Sequence, residues 1–359
     1  DFFPKMLYYY VKLYIYYVIM TSINKNQNIN VSMKDVAKDA NVSIATVSRV
    51  INNSGYVSES YRMRVEESIR KLGYSHNALA RSLVTKESNL IALIIDNISN
   101  PFYPQLTLGV EEMAEKNDLN VILCNIESSI EKEINYVKKL IGLQVDGMIF
   151  VASKVPENVY GNSVNINAPV VCLDRQIHIP NCDRVFLDQD WGAYNITKHL
   201  INKGHKRIAH IAGPADYLTA RVRKNAYKRA LSDNNLRPIK RLICEGDYMV
   251  DGGRLATEKL LALKTLPTAI FAANDLMAIG AMDTIKRQGL QIPDDIAVAG
   301  FDDIPFAVLY PPSLTTVSQP TLQMGTLAMQ MVIDRIQGEA SLEPREVIFK
   351  PTIAVREST

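Results

Sequence analysis

This chain lacks the motifs that mark the common catalytic classes. It has no Gly-x-Ser-x-Gly elbow, no Walker-type phosphate loop, no Gly-x-Gly-x-x-Gly after its first strand-like run and no His-Glu-x-x-His. Their absence argues against hydrolase, nucleotide-hydrolysing, dinucleotide-dependent and zinc-protease chemistry. The five histidines, His76, His178, His199, His205 and His210, are dispersed, and His205 reads as a turn residue before a strand. Four cysteines (Cys124, Cys172, Cys182, Cys244) form no Cys-x-x-Cys pair and have no histidine at ligand spacing. A disulfide scaffold or a metal site is therefore not expected, and a reducing cytoplasm fits. Cys124 and Cys172 lie inside apolar runs and read as core thiols. No catalytic residue, metal or cofactor is assigned.

Long uncharged apolar runs are also missing. Residues 1–20 hold eight of the 27 aromatics, but Lys12 interrupts them and no small-residue cleavage site follows. A membrane span needs about 20 predominantly apolar residues, and a signal peptide needs that cleavage site. Residues 1–30 are expected to lie outside the fold, as translated sequence upstream of a start at Met20 or Met33. A membrane anchor is the competing reading.

Neither charge sign dominates: 40 Lys+Arg face 38 Asp+Glu, for a formal charge of +2. That balance excludes only a chain that is basic throughout, because nucleic-acid binding needs a local patch. Residues 31–88 carry 9 basic and 6 acidic side chains, residues 1–30 carry 3 and 1, and residues 89–359 carry 28 and 31. A small cationic module thus precedes a mildly acidic body. At 359 residues the chain exceeds the usual domain of roughly 100–200, so two or more domains are expected.

Regular patterning begins at Val31. Met33–Ala40 is a short helical window, Asn41-Val42-Ser43 is turn chemistry with Ser43 as N-cap, and Ile44–Ile51 is a second window. Two short helices across a three-residue turn make a helix-turn-helix, closed by Val36, Ala37, Val47 and Val50. Ser58 is placed to cap a third helix, Glu59–Leu72, whose Val65, Ile69 and Leu72 pack beneath the pair. Tyr61 stands where a capping box would need Glu or Gln. Ile44, Ala45, Ser48 and Arg49 project outward from the second helix. The start of such a helix enters the major groove, where Arg can hold guanine O6 and N7 while Ala and Ile meet thymine methyls. Ser43, Thr46, Asn53 and Tyr56 suit phosphates. Asn77–Thr85 is helix-capable but too short to be stable alone.

Past Ser88, apolar strand-like runs alternate with amphipathic helices. Strands are expected at Leu90–Ile95, Val121–Cys124, Gly147–Val151, Val170–Leu173, Val185–Leu187, Ile208–Ile211, Ile270–Ala273 and Ile296–Gly300. Helices are expected at Gln105–Asn117, Glu131–Ile141, Gly192–Lys203, Lys224–Asn234, Gly253–Leu263 and Leu276–Gln288. This is the pattern of parallel sheets covered on both faces, divided into two lobes. Ligands bind such sheets at the carboxyl ends of the strands. Polar groups recur there: Asn100 with Phe102 and Tyr103, Asp174-Arg175, Arg221 and Arg223, Asn274-Asp275, Asp302-Asp303 and Gln319. Carboxylates, amides and guanidinium groups beside aromatic rings suit a sugar, whose hydroxyls donate and accept while its C–H faces stack. Asp275 and Asp302 have the plainer alternative of capping the helices that follow.

The stretch MKDVAKDANVSIATVSRVINNSGYVSESYRMRVEESIRKLGYSHNALARSL is similar to the amino-terminal signature of the lactose/galactose repressor family. Residues 89–359 resemble that family's periplasmic-binding-protein-like effector domain. The resemblance runs from Val31 to Ser358. It implies an all-α helix-turn-helix DNA-binding domain at 31–76, a hinge helix and linker at 77–88, and a two-lobed α/β effector-binding and dimerisation domain at 89–359. Lobe one would comprise about 89–189 and 321–349, and lobe two about 190–320 and 350–359. A homodimer, in some members a tetramer, would bind a pseudo-palindromic operator. Ala80 and Leu83 would lie on the hinge helix, which in the family folds on operator DNA, with Leu83 wedged into the minor groove. Arg49 falls on the base-reading position, and Ile44-Ala45 resembles the pairing in regulators of catabolite-type operators.

The effector lobes look closest to Gram-positive ribose-operon repressors through SNPFYPQL, VVCLDR, GPADYLTARVRKNAY, AAND, GFDDIP and PPSLTTVSQP. The resemblance assigns effector contact to Asn100, Phe102, Tyr103, Asp174, Arg175, Arg223, Asn274, Asp302 and Gln319. Tyr103 replaces a common Phe, and Asn225-Ala226 replaces a common Glu-Gly, which leaves Arg221 against Arg223 open. The expected function is a cytoplasmic transcriptional repressor controlled by ribose or a related pentose. Two alternatives stand beside it: a catabolite controller driven by a phosphorylated carrier protein, and a sugar-binding transport receptor. The helix-turn-helix counts against the receptor.

Overall fold

Ser32 starts the first helix by a reciprocal cap. Its hydroxyl accepts the Asp35 N–H, and the Asp35 carboxylate accepts the Ser32 N–H at 2.9 Å. The computed structural model describes residues 31–51, 54–74, 88–151, 160, 166–174 and 182–359. The chain divides into two compact units, 1–84 and 85–359.

In the first unit, α1 (Met33–Asp39) leads through Asn41, at φ 50°, into α2 (Ile44–Ile51). Ser43 caps α2 by accepting the Thr46 N–H at 3.1 Å. Then α3 (Glu59–Leu72) ends at Gly73 with φ 63°, the left-handed conformation that stops a helix. Val36, Ala37, Val47, Val50 and Val65 are buried together, with Ile69 and Leu72 packed against them. Arg64 donates to the carbonyls of Ala40 at 2.5 Å and Asn41 at 2.7 Å, tying α3 to the turn. Ser58 corrects its expected role. It occupies the N-cap position, but its side chain makes no capping bond and lies 3.2 Å from the Ser60 hydroxyl.

The second unit contains two six-stranded sheets. Its strands are β1 (Leu90–Ile95), β2 (Asn120–Asn125), β3 (Gly147–Val151), β4 (Val170–Leu173), β5 (Asp183–Leu187), β6 (Ile208–Ala212), β7 (Ile243–Glu245), β8 (Ala269–Ala272), β9 (Ala297–Asp302), β10 (Thr315–Ser318), β11 (Glu346–Phe349) and β12 (Thr352–Ala354). Sheet one runs β11-β5-β4-β3-β1-β2 and sheet two β12-β10-β9-β8-β6-β7. All pairings are parallel except β10 with β12. Burial on both faces accounts for the nearly continuous apolar runs of β1, β3 and β4. The chain passes between the sheets three times: after β5, after β10, and between β11 and β12.

Helices α4 (Phe102–Glu115), α5 (Ile130–Gly142), α6 (Gln189–Asn202), α7 (Leu218–Asp233), α8 (Val250–Leu261), α9 (Asp275–Arg287), α10 (Phe306–Leu309) and α11 (Thr321–Ile336) complete the unit. Two departures from expectation matter for the site. Helix α7 starts six residues earlier than its charge-rich sequence suggests, so Arg221 and Arg223 sit on a helix and not in a loop. Helix α11 was not foreseen. A Cβ at its Gly325 would stand 2.2 Å from the Leu106 carbonyl oxygen, so glycine lets α11 and α4 meet closely.

Candidate functional site

The two sheets present the carboxyl ends of their parallel strands to one cleft, with an empty volume of about 730 Å³ counting its open mouth. Asp96 follows β1, Asp174 follows β4, Asn274 follows β8, Asp302 ends β9 and Gln319 follows β10. Asp174 and Asp302 adopt positive φ, 47° and 126°, so the backbone turns sharply where these side chains meet the cleft.

A chain of buried polar contacts orders its floor. Asp174 Oδ1 accepts the Leu187 N–H at 2.9 Å, and Oδ2 accepts Gln189 Nε2 at 2.8 Å. Gln189 Oε1 in turn accepts Arg223 Nε at 2.7 Å. Arg223 also donates to the Ala273 carbonyl, lies 3.7 Å from Asp302 Oδ1, and stacks 3.6 Å over the Phe301 ring. Asp302 Oδ1 accepts Gln319 Nε2 at 2.6 Å. Burial raises the Asp174 carboxyl to about 6, opposed by the Leu187 N–H, Arg223 and Gln189. Burial also holds Asp302 well above the ordinary carboxylate range, with Arg223 opposing and Asp275 reinforcing.

Aromatic rings complete the walls. Phe102 and Tyr103 pack edge to face with centroids 5.2 Å apart, as do Tyr217 and Tyr248 at 5.6 Å. Tyr217 Oη donates to Asp96 Oδ2 at 2.9 Å and stands 2.9 Å from Ser128 Oγ, joining the start of α7 to the ends of β1 and β2. Rings beside polar groups that can donate and accept suit a polyhydroxylated ligand.

Of the expected effector residues, Asn100, Phe102, Tyr103 and Asp174 line this cleft, as do Arg223, Asn274, Asp302 and Gln319. Arg175 lies outside the described residues. Helix phase separates the two arginines: Arg223 is buried and lines the cleft, while Arg221 is exposed and donates to the carbonyls of Ala215 and Asp216. Asn274, not Asp275, caps α9 by accepting the Met277 N–H at 3.0 Å. Asp275 is fully buried away from the cleft lining, bonded to the Ile304 N–H and the Thr316 hydroxyl. Sequence reasoning missed Gln189, Ser128, Tyr217 and Tyr248. Gln189 could have been found by the same strand-end rule, since it lies two residues beyond β5.

On the first unit, Ile44, Ala45 and Arg49 are exposed on α2, Ser48 is half-buried, and Tyr56 is 90% exposed. The Ser43 and Thr46 hydroxyls lie 2.9 Å apart and face each other. Asn53, Ala80, Leu83, the hinge helix and residues 1–30 lie outside the described residues. No helix among the described residues is long and apolar enough to cross a membrane.

Residues 32–77 match the model for bacterial regulatory proteins of the lacI family, and residues 197–359 match a periplasmic binding protein-like domain. The chain is 37% identical over 328 residues to the ribose operon repressor of Halalkalibacterium halodurans, covering 91% of this chain and 97% of the relative. It is 34% identical over 328 residues to the HTH-type transcriptional repressor PurR of Aliivibrio salmonicida, covering 91% and 98%. A crystal structure of the lac repressor dimer bound to operator and the anti-inducer ONPF matches with a TM-score of 0.81 at 29% identity. That match covers 91% of this chain and 98% of the other.

Proposed function

Because the chain belongs to the lacI family of bacterial regulatory proteins, we propose that it is a homodimeric transcriptional repressor whose operator affinity is set by a small sugar, ribose or a related pentose. The observation that carries this reading is the cleft: carboxylates, amides, one stacked guanidinium and aromatic rings converge at the strand ends of both sheets, in a chain that also bears a helix-turn-helix. In this reading Ile44, Ala45, Ser48 and Arg49 meet base edges, while Ser43, Thr46, Asn53 and Tyr56 meet phosphates. Ala80 and Leu83 act from the hinge. Asn100, Phe102, Tyr103, Asp174, Arg175, Arg223, Asn274, Asp302 and Gln319 hold the sugar.

The sugar bridges the two lobes, so it binds their closed arrangement more tightly than the open one. Only that difference can shift the dimer between states of high and low operator affinity. Coupling of this kind amounts to about 1–3 kcal/mol in allosteric systems. Gel shifts on operator DNA with a panel of pentoses and hexoses test the reading. A sugar-dependent change in affinity supports it, and indifference to every sugar contradicts it.

A further inference from the structure

The hydrogen-bonding inventory of the cleft bears on the charge of its occupant, and this inference rests on the sugar-sensing reading above. Gln319 is 7% exposed and lines the cleft. Its Nε2 is engaged by Asp302, while its Oε1 has no partner among the described residues. A buried amide oxygen without a donor is costly, so an occupant that brings an O–H or N–H to it is favoured. Four carboxyl groups also line the cleft, those of Asp96, Asp174, Asp247 and Asp302.

Donors are few. Asn274 has its Oδ1 on the Met277 N–H and its Nδ2 on the Tyr248 carbonyl at 2.9 Å. Arg223 directs Nε to Gln189, one Nη to Ala273 and its face to Phe301. Among the described lining residues, four carboxyl groups stand against one guanidinium group.

We propose that the cleft selects the free sugar over its phosphate ester, with Gln319 Oε1 and the carboxyl groups of Asp174 and Asp302 accepting hydroxyl protons. A phosphate dianion offers acceptor oxygens and no proton for Gln319 Oε1. It also brings negative charge into a site shielded from solvent, where repulsion is poorly screened. Burial penalises any charged group here: it is what raises the Asp174 and Asp302 carboxyls, and a phosphate dianion meets the same penalty.

The test is isothermal titration calorimetry on the full chain at neutral pH. D-ribose is compared with D-ribose 5-phosphate, and other neutral pentoses and hexoses with their phosphate esters. The expected result is a free sugar that binds at least about tenfold more tightly than its ester, the scale set by placing charge beside like charge in a partly buried site. An ester that binds as tightly as its parent sugar overturns the proposal and leaves sugar sensing standing. If no sugar of either kind binds, sugar sensing itself fails and the proposal falls with it.

Discussion

Arg223 stands 3.7 Å from Asp302 while its guanidinium lies 3.6 Å above the ring of Phe301, so consecutive residues of β9 supply both the charge partner and the stacking surface. Gly192 makes room for this arrangement, because a Cβ there would come within 2.9 Å of the Phe301 ring. Asp302→Ala removes a carboxyl that both faces Arg223 and receives Gln319. The variant is expected to lose its sugar response while still binding operator in the absence of sugar, since the residues proposed to meet DNA all lie in the first unit. Gel shifts with and without sugar check this. Retained induction would contradict the placement of Asp302 in the effector site.

Arg49 offers the corresponding test on DNA. It is exposed near the end of α2, with its side chain passing 3.8 Å from where a Cβ on Gly55 would be. Arg49→Ala is expected to cost about 1–3 kcal/mol of discrimination between operator and scrambled DNA, the scale of one bidentate base contact. Non-specific binding should persist with its salt dependence, because the phosphate contacts remain. A variant that discriminates as well as the parent would remove Arg49 from base reading.

His210 is fully buried between Tyr227 and Phe271, with ring centroids at 4.9 and 4.8 Å. Nδ1 lies 2.9 Å from the Phe271 carbonyl and must carry the proton, since a carbonyl can only accept. Burial lowers its pKa to about 3. Below the unfolded value of about 6.5 the unfolded chain takes up a proton that the folded chain refuses, so stability falls as pH drops toward about 3. His210→Phe keeps the stack and removes this term. Its stability should therefore decline less steeply between pH 6 and 4, by about 1 kcal/mol per pH unit. Thermal melts across that range measure the difference, and parallel curves would refute the linkage.

Much of this site could be read in the sequence because strand ends are marked by abrupt changes from apolar runs to Asp, Asn or Gln, as at Leu173-Asp174 and Ala273-Asn274. The first two helices of the first unit were legible for a similar reason. Val36, Val47 and Val50 keep helical spacing on either side of Asn41-Val42-Ser43. What escaped was set by partners far away in the chain. Gln189 and Phe301, which hold the Arg223 guanidinium, both stand far from it in the chain. Asp183 is another such case, a fully buried carboxylate held by Arg335 and Arg345, each at 2.7 Å.

That cluster gives a stability prediction independent of ligand. Asp183→Ala leaves Arg335 without its carboxylate where β5 meets α11, with Arg345 retaining Asp334, and it also removes the acceptor of the Arg345 N–H. Breaking a buried ion pair from one side typically costs about 3–5 kcal/mol. The midpoint of thermal unfolding should fall by several degrees. A loss below about 1 kcal/mol would mean that the cluster contributes little beyond solvated arginines.

The central claim is that one chain couples a sugar site to an operator site. Fluorescence anisotropy on DNA selected by the full-length protein from a randomised pool, titrated with D-ribose and with other pentoses and hexoses, tests it most directly. The account predicts that at least one sugar changes the operator Kd by about 5- to 150-fold, the usual range of allosteric coupling. An operator Kd unchanged by every sugar, including one shown by calorimetry to bind, would contradict it.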